Sequence, residues 1–263
     1  MAFAPWGGTK DVQDAASMEG TRGRVVIRID SSDGVRGLSE AAQQRPGTDI
    51  WVSHFEEVTS VQIEVLDGDE KERAARFRFE EDRRRWRAAR AFLRLVLGAY
   101  LDVEPFAVVF HLGPQGKPFV EPGHEFNLSH SGDLVLIAVS DVAVGVDVER
   151  VDRVRANESI ADRYFDQSER RWIESSPDKD HAFYRLWTIK ESVMKADGRG
   201  MSIPLEQVNV NVSSLDGSGS VVCRAGDSGW AVTELGPGSG YCGAVATRQP
   251  GAVRVLGFLP RAI

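Results

Sequence analysis

Apolar positions along the chain fall into short runs broken by charged stretches with helical spacing. Residues 50–65 carry apolar residues in patches (Trp51 and Val52, then Val58, Val61, Ile63 and Val65), which predicts a strand and its surroundings. Residues 67–100 read as one long helix, because they are charged, alanine-rich and free of Gly and Pro from Asp69 to Leu97. Trp86, Phe92, Leu93, Val96, Leu97 and Tyr100 share the side expected to meet a core. Arg83, Arg87, Arg90 and Arg94 fall at i, i+4, i+7 and i+11, a continuous basic stripe. Strands are predicted over 107–112, 119–121, 134–139 and 142–148, with a Gly/Pro turn at 113–118. A helical region at 159–176 and a second helix around Trp187 follow, then strands at 208–212, 220–224, 230–234 and 241–247. The simplest architecture is α+β: two halves, 49–143 and 144–263, each with helices and a short antiparallel sheet. Residues 1–48 are poor in large apolar side chains apart from one strand candidate at 24–29, and read as a flexible N-terminal extension.

Composition narrows the class. The 263 residues are 42% hydrophobic and 27% charged, enough to bury a substantial core. A formal net charge of -7 argues against nucleic-acid binding over the whole surface. No apolar stretch approaches the ~20 residues that span a bilayer, and the first residues lack a basic region followed by an apolar one. No membrane or nucleic-acid partner is therefore expected, and a cytoplasmic location is. Cys223 and Cys242 have no metal-ligand spacing and are expected to be reduced and buried.

Three blocks carry chemistry. Gly145-Val-Asp-Val-Glu149 reads as a strand with Asp147 and Glu149 on one face. Alone, such a pair is common on a half-wet strand. Trp187, Glu191 and Lys195 lie at i, i+4 and i+8 on one helix face, with Lys190 at its edge. Alone, this is an ordinary amphipathic helix with a modest Glu–Lys pair. If the helix crosses the strand end, three hard carboxylates with a lysine beside them suit Mg²⁺ holding a phosphate. Trp187 reads as a packing anchor for that helix. The third block, Phe126-Asn-Leu-Ser-His-Ser-Gly132, stands before the apolar run 134–139, so Ser129, His130 and Ser131 are expected in a turn, where hydroxyls, amides and an imidazole can gather an anion.

Taken together, these blocks, with Gly113-Pro-Gln-Gly-Lys-Pro118 before them and Gly198-Arg-Gly200 after, resemble the 4'-phosphopantetheinyl transferases of the surfactin-synthetase-activating class, over about residues 50–253. The resemblance implies two halves related by a pseudo-twofold. It also implies transfer of phosphopantetheine from coenzyme A to a serine of an apo acyl or peptidyl carrier protein, with release of 3',5'-ADP, by a monomer serving polyketide, nonribosomal peptide or fatty acid synthesis. It assigns Mg²⁺ to Asp147, Glu149 and Glu191, and catalysis to Glu191 and Lys195. Glu191 is the favoured general base, with a water as the alternative relay. Coenzyme A contacts are expected from Arg73, Arg90, Lys117, Ser129, His130, Lys190 and Lys195. His130 and Ser129 match positions that meet the nucleotide 3'-phosphate; Lys117 matches one near the adenine and phosphates, or is an exposed turn lysine. The alternative reading is another Mg²⁺-dependent phosphate-ester enzyme, a hydrolase using the same three carboxylates.

Overall fold

The computed structural model describes residues 26–30, 38, 42, 47–57, 64–121, 123–152, 156–199, 204–215 and 221–259. Two five-stranded sheets and two long helices form its frame. The first sheet runs in the order β1 (Val26–Asp30), β12 (Val253–Leu259), β2 (Thr48–His54), β6 (Leu134–Ser140), β5 (Glu125–Ser131). The second runs β7 (Val144–Arg150), β11 (Tyr241–Thr247), β10 (Ser228–Leu235), β9 (Val221–Ala225), β8 (Val208–Val210). A two-residue hairpin, β3 (His111–Leu112) with β4 (Pro118–Phe119), stands apart.

Side-chain alternation sorts the core into three layers. Val135, Ile137 and Val139 face helix α2 (Glu80–Leu101) and pack with Phe92, Val96 and Leu97. Leu134, Leu136 and Ala138, on the opposite face of β6, meet Val144, Val146 and Val148 of β7 between the two sheets. The far face of the second sheet packs on helix α5 (Lys179–Asp197) through Leu186, Ile189 and Val193. Trp187 stacks on Phe183 with 11° between the rings and meets Tyr164 edge-on, the anchoring role its sequence suggested.

The long helix expected over 67–100 is two helices. The first, α1 (Gly68–Ala75), opens on a capping box in which the Asp67 carboxylate accepts the Glu70 N–H at 2.9 Å and Glu70 accepts the Asp67 N–H at 3.1 Å. A continuous helix would hold Glu70 and Arg94 about 35 Å apart. The break brings them together at 2.7 Å, and Arg94, 1% exposed, also bonds Asp67 and the carbonyls of Pro105, Phe106 and Val108. A buried guanidinium needs such partners. The predicted region 159–176 likewise divides into α3 (Ala156–Tyr164) and α4 (Gln167–Ser175), where Asp166 caps α4. Residues 107–112 form only the two-residue β3, and positions 58–63 of the first strand reading lie outside the described residues.

Strand order departs from the expected boundaries at both ends. β12 returns to the first sheet, parallel to β2, so the division at 144 does not hold for the last strand. Arg254 of β12 grips Asp49 of β2 with two 2.7 Å bonds, and the Tyr100 hydroxyl donates to the same carboxylate. β1 then pairs in parallel along β12, so residues 26–30 of the expected extension are a docked edge strand. Apart from 26–30, 38 and 42, positions 1–46 lie outside the described residues, as does Gly200 of the Gly-Arg-Gly motif. The first sheet is therefore mixed where an antiparallel one was expected.

Candidate active site

Gly145 sets the site's depth. A Cβ at this position would lie 2.2 Å from the Ser192 carbonyl oxygen and 2.2 Å from the Ala196 nitrogen, so only glycine lets α5 lie directly on β7. That close approach carries Glu191 and Lys195 over the β7 face bearing Asp147 and Glu149. The helix crosses the strand and joins Lys195 to Asp147, with Glu191 in electrostatic reach of both strand carboxylates.

The Lys195 ammonium donates to Asp147 Oδ1 at 2.6 Å and to Ser129 Oγ at 3.0 Å. Ser129 Oγ donates to the same Asp147 oxygen at 2.8 Å, and Ser131 Oγ donates to Glu149 Oε2 at 2.6 Å. Asp147 Oδ2 is buried without a hydrogen-bond partner among the described residues. Burial pushes all three carboxyls up. Asp147 is raised by desolvation, against Lys195 and its hydrogen bonds. Glu149 is raised by desolvation and by Asp147, against Ser131. Glu191 is pushed up to about 7, by desolvation first, then by the charges of Asp147 and Glu149, with Lys195 opposing. Among the described residues no three His, Cys, Asp or Glu side chains are drawn together into a ready-made cation cage. The donor set still suits a hard divalent cation: three mutually repelling carboxylates, one with an orphaned buried oxygen that a cation would satisfy.

Ser129, His130 and Ser131 lie on strand β5, not in a turn. The turn comes next, at Gly132 (φ 55°) and Asp133, closing the hairpin to β6. Ser129 and His130 therefore face opposite sides of the strand. Ser129 joins the carboxylates. His130 packs edge-on against Phe55 and borders a cleft of about 770 Å³. Its pKa is lowered, by burial first and then by Lys195 and Arg85.

This cleft lies between α1, α2, β5 and the 106–118 segment, with Arg73, Arg90, Trp86 and Phe110 among its walls. The Arg90 guanidinium sits 3.6 Å from the centre of the Phe110 ring and is held by Glu70; Arg73 lies 5.5 Å from the Trp86 ring. Of the four arginines of the basic stripe, Arg94 is structural, Arg83 pairs with Glu80, Arg87 is not among the cleft's walls, and Arg90 is the cleft-facing member. Lys117 bonds Glu125 at 3.2 Å and the Val144 carbonyl at 3.3 Å, at the junction of the halves.

Lys190 does not join this site. Its ammonium is fully buried, bonded to Glu169 at 2.8 Å and to the Tyr164 carbonyl at 2.9 Å. Glu169 also accepts the Val210 N–H at 2.9 Å, so the pair ties α4, α5 and β8 together. Helical geometry accounts for the difference, since Lys190 and Lys195 are five positions apart and about 140° around the helix. Ser131 was given no separate role by sequence reasoning, although its alternation with Ser129 was the available signal.

The family model for the 4'-phosphopantetheinyl transferase superfamily matches residues 143–246, and the model described as 4'-phosphopantetheinyl transferase, N-terminal, matches residues 50–142. The chain is 39% identical over 190 residues to 4'-phosphopantetheinyl transferase HetI of Nostoc sp., covering 69% of this chain and 78% of the relative. It is 32% identical to 4'-phosphopantetheinyl transferase psf-1 of Bacillus pumilus, covering 71% of this chain and 80% of that protein. Against 4'-phosphopantetheinyl transferase Sfp of Bacillus subtilis the identity is 29%, over 72% of this chain and 84% of the relative. The hydrolase alternative finds no support among these matches.

Proposed function

The chain belongs to the 4'-phosphopantetheinyl transferase family, and we propose that it moves the phosphopantetheine group of coenzyme A onto a serine hydroxyl of an apo acyl or peptidyl carrier protein, releasing 3',5'-ADP, with Mg²⁺ held by Asp147, Glu149 and Glu191. The observation that supports the assignment of residues is the crossing of α5 over β7, which bonds Lys195 to Asp147 and sets Glu191 in electrostatic reach of Asp147 and Glu149, with one Asp147 oxygen buried and without a hydrogen-bond partner among the described residues.

Displacement at the β-phosphorus needs the pyrophosphate neutralised, the groups held in line and a proton taken from a weak nucleophile. Bound Mg²⁺ would supply charge neutralisation at the pyrophosphate. Glu191 is the favoured acceptor of the carrier serine's proton; its pKa of about 7 belongs to the metal-free protein, and a bound cation would lower it and keep the carboxylate ionised. Lys195 lies within the same hydrogen-bonded group and offers a point charge to the phosphates. The cleft bordered by His130 suits the nucleotide end of coenzyme A: Trp86 and Phe110 offer ring faces, while Arg73 and Arg90 offer charge. Lys117, near Gly198, stays as a contact for the donor's phosphates, whereas the Ser129 hydroxyl is committed to Asp147 and Lys195 and does not serve as one.

The two candidate sites flank one strand, and this supports a donor that spans both. We expect a monomer in the cytoplasm. Among the described residues no helix is long and apolar enough to cross a membrane. Incubating the protein with coenzyme A, Mg²⁺ and apo carrier proteins tests the reading: the carrier should gain one phosphopantetheine per domain, and a carrier whose mass stays unchanged across peptidyl and acyl types would refute it.

A further inference from the structure

β5 and β7 are the facing edges of the two sheets, and among the described residues no backbone ladder joins them. An edge strand presents a row of N–H groups that need partners. Here side chains supply them in strict alternation. The Val146 N–H donates to Asn127 Oδ1 at 2.9 Å, the Val148 N–H to Ser129 Oγ at 3.3 Å, and the Arg150 N–H to Ser131 Oγ at 3.1 Å. The three acceptors are every second residue of β5, and the three donors every second residue of β7. The two serines then do something that Asn127 does not. Each passes its own hydroxyl proton onward to the carboxylate just before the N–H it accepts: Ser129 to Asp147, Ser131 to Glu149.

We propose that this side-chain ladder is the polar joint between the edges of the two sheets, and that Ser131 is a positioning residue that holds the Glu149 carboxylate for the divalent cation. The inference rests on the metal reading given above. A hydroxyl fixed by a backbone N–H on one side has one direction left for its proton, and a glutamate oxygen held by it loses rotamer freedom before the cation arrives. Ser129 does the same for Asp147 but is also bonded to Lys195, so Ser131 isolates the effect. Hydrogen bonds to ligating side chains of this kind change metal affinity by about 10- to 100-fold.

The test is Mn²⁺ binding to the full chain without coenzyme A, by calorimetry and electron paramagnetic resonance, beside the melting temperature. Ser131→Ala should weaken Mn²⁺ by about 10- to 100-fold, while Ser131→Thr, which keeps the hydroxyl, should bind close to wild type. Asn127→Ala removes a rung that bears no carboxylate; it should lower the melting temperature and leave Mn²⁺ affinity in place. If Ser131→Ala fails to fold, the nearly isosteric pair Ser131→Thr and Ser131→Val carries the same comparison. Equal Mn²⁺ affinity in Ser131→Ala and wild type, or equal weakening by Ser131→Ala and Asn127→Ala, would overturn the positioning role alone. A wild-type chain that binds no Mn²⁺ would overturn the metal reading and this inference with it.

Discussion

Replacing Glu191 with glutamine should stabilise the metal-free protein at alkaline pH and leave it unchanged in acid. The folded carboxyl titrates at about 7 against an ordinary value of 4.5, because burial and the charges of Asp147 and Glu149 disfavour its ionised form. Between these values the folded chain holds a proton that the unfolded chain has lost. Stability therefore falls as pH rises through that window, and the whole penalty is present above about pH 7. A shift of about 2.5 units is at most about 3.4 kcal/mol at 1.36 kcal/mol per unit. Glu191 is only half-buried, so solvent screening reduces this to roughly 1–2 kcal/mol. For a chain of this size that is a melting-temperature gain of roughly 3–6 °C at pH 8. Below pH 4.5 both side chains are neutral and the gain should vanish. Scanning calorimetry of the two proteins from pH 4.5 to 8 with a chelator present measures it, and parallel profiles at all pH values would refute the electrostatic account of the site. Saturating Mg²⁺ should narrow the difference, because the wild-type carboxylates then have a cation.

Lys190→Met should destabilise by about 3–5 kcal/mol by leaving Glu169 charged and unpaired, yet transfer per folded molecule should persist. A selective loss of coenzyme A affinity would restore Lys190 to the donor site. Gly145→Ala should lift α5 off β7, lowering both melting temperature and transfer rate; wild-type values for both would show that the close approach does not set the site. His130 has a lowered pKa and offers an uncharged hydrogen bond, worth about 0.5–1.5 kcal/mol. If it meets the 3'-phosphate, His130→Ala should reduce the preference for coenzyme A over dephospho-coenzyme A by roughly two- to tenfold in kcat/KM, and an unchanged ratio would leave it a packing residue.

Local periodicity carried the site a long way. Asp147 and Glu149 alternate on one strand and Glu191 and Lys195 are four apart on one helix, so each pair could be read from its own segment. What lay between segments could not. The partner of Lys190 is Glu169, on another helix, and no spacing within 187–195 reveals it. Arg94 looked like the other members of the arginine stripe until α1 folded back against it through Asp67 and Glu70. The return of β12 to β2 joins Arg254 to Asp49 across 205 positions, and a parallel pairing at that separation leaves no local signature. The apolar run 134–139 suggests a turn just before it that would hold Ser129 and His130 as neighbours. Instead strand β5 runs on to Ser131, which puts them on opposite faces, and so at two different sites.

The most direct measurement of the central claim is intact-protein mass spectrometry of an apo carrier protein incubated with coenzyme A and either the wild-type enzyme or Asp147→Ala, with Mg²⁺ and with chelator. Wild type with Mg²⁺ should add one phosphopantetheine to the carrier serine, and chelator or Asp147→Ala should stop it while the variant keeps its fold by circular dichroism. Transfer by Asp147→Ala at the wild-type rate, or wild-type transfer undiminished by chelator, would contradict the account.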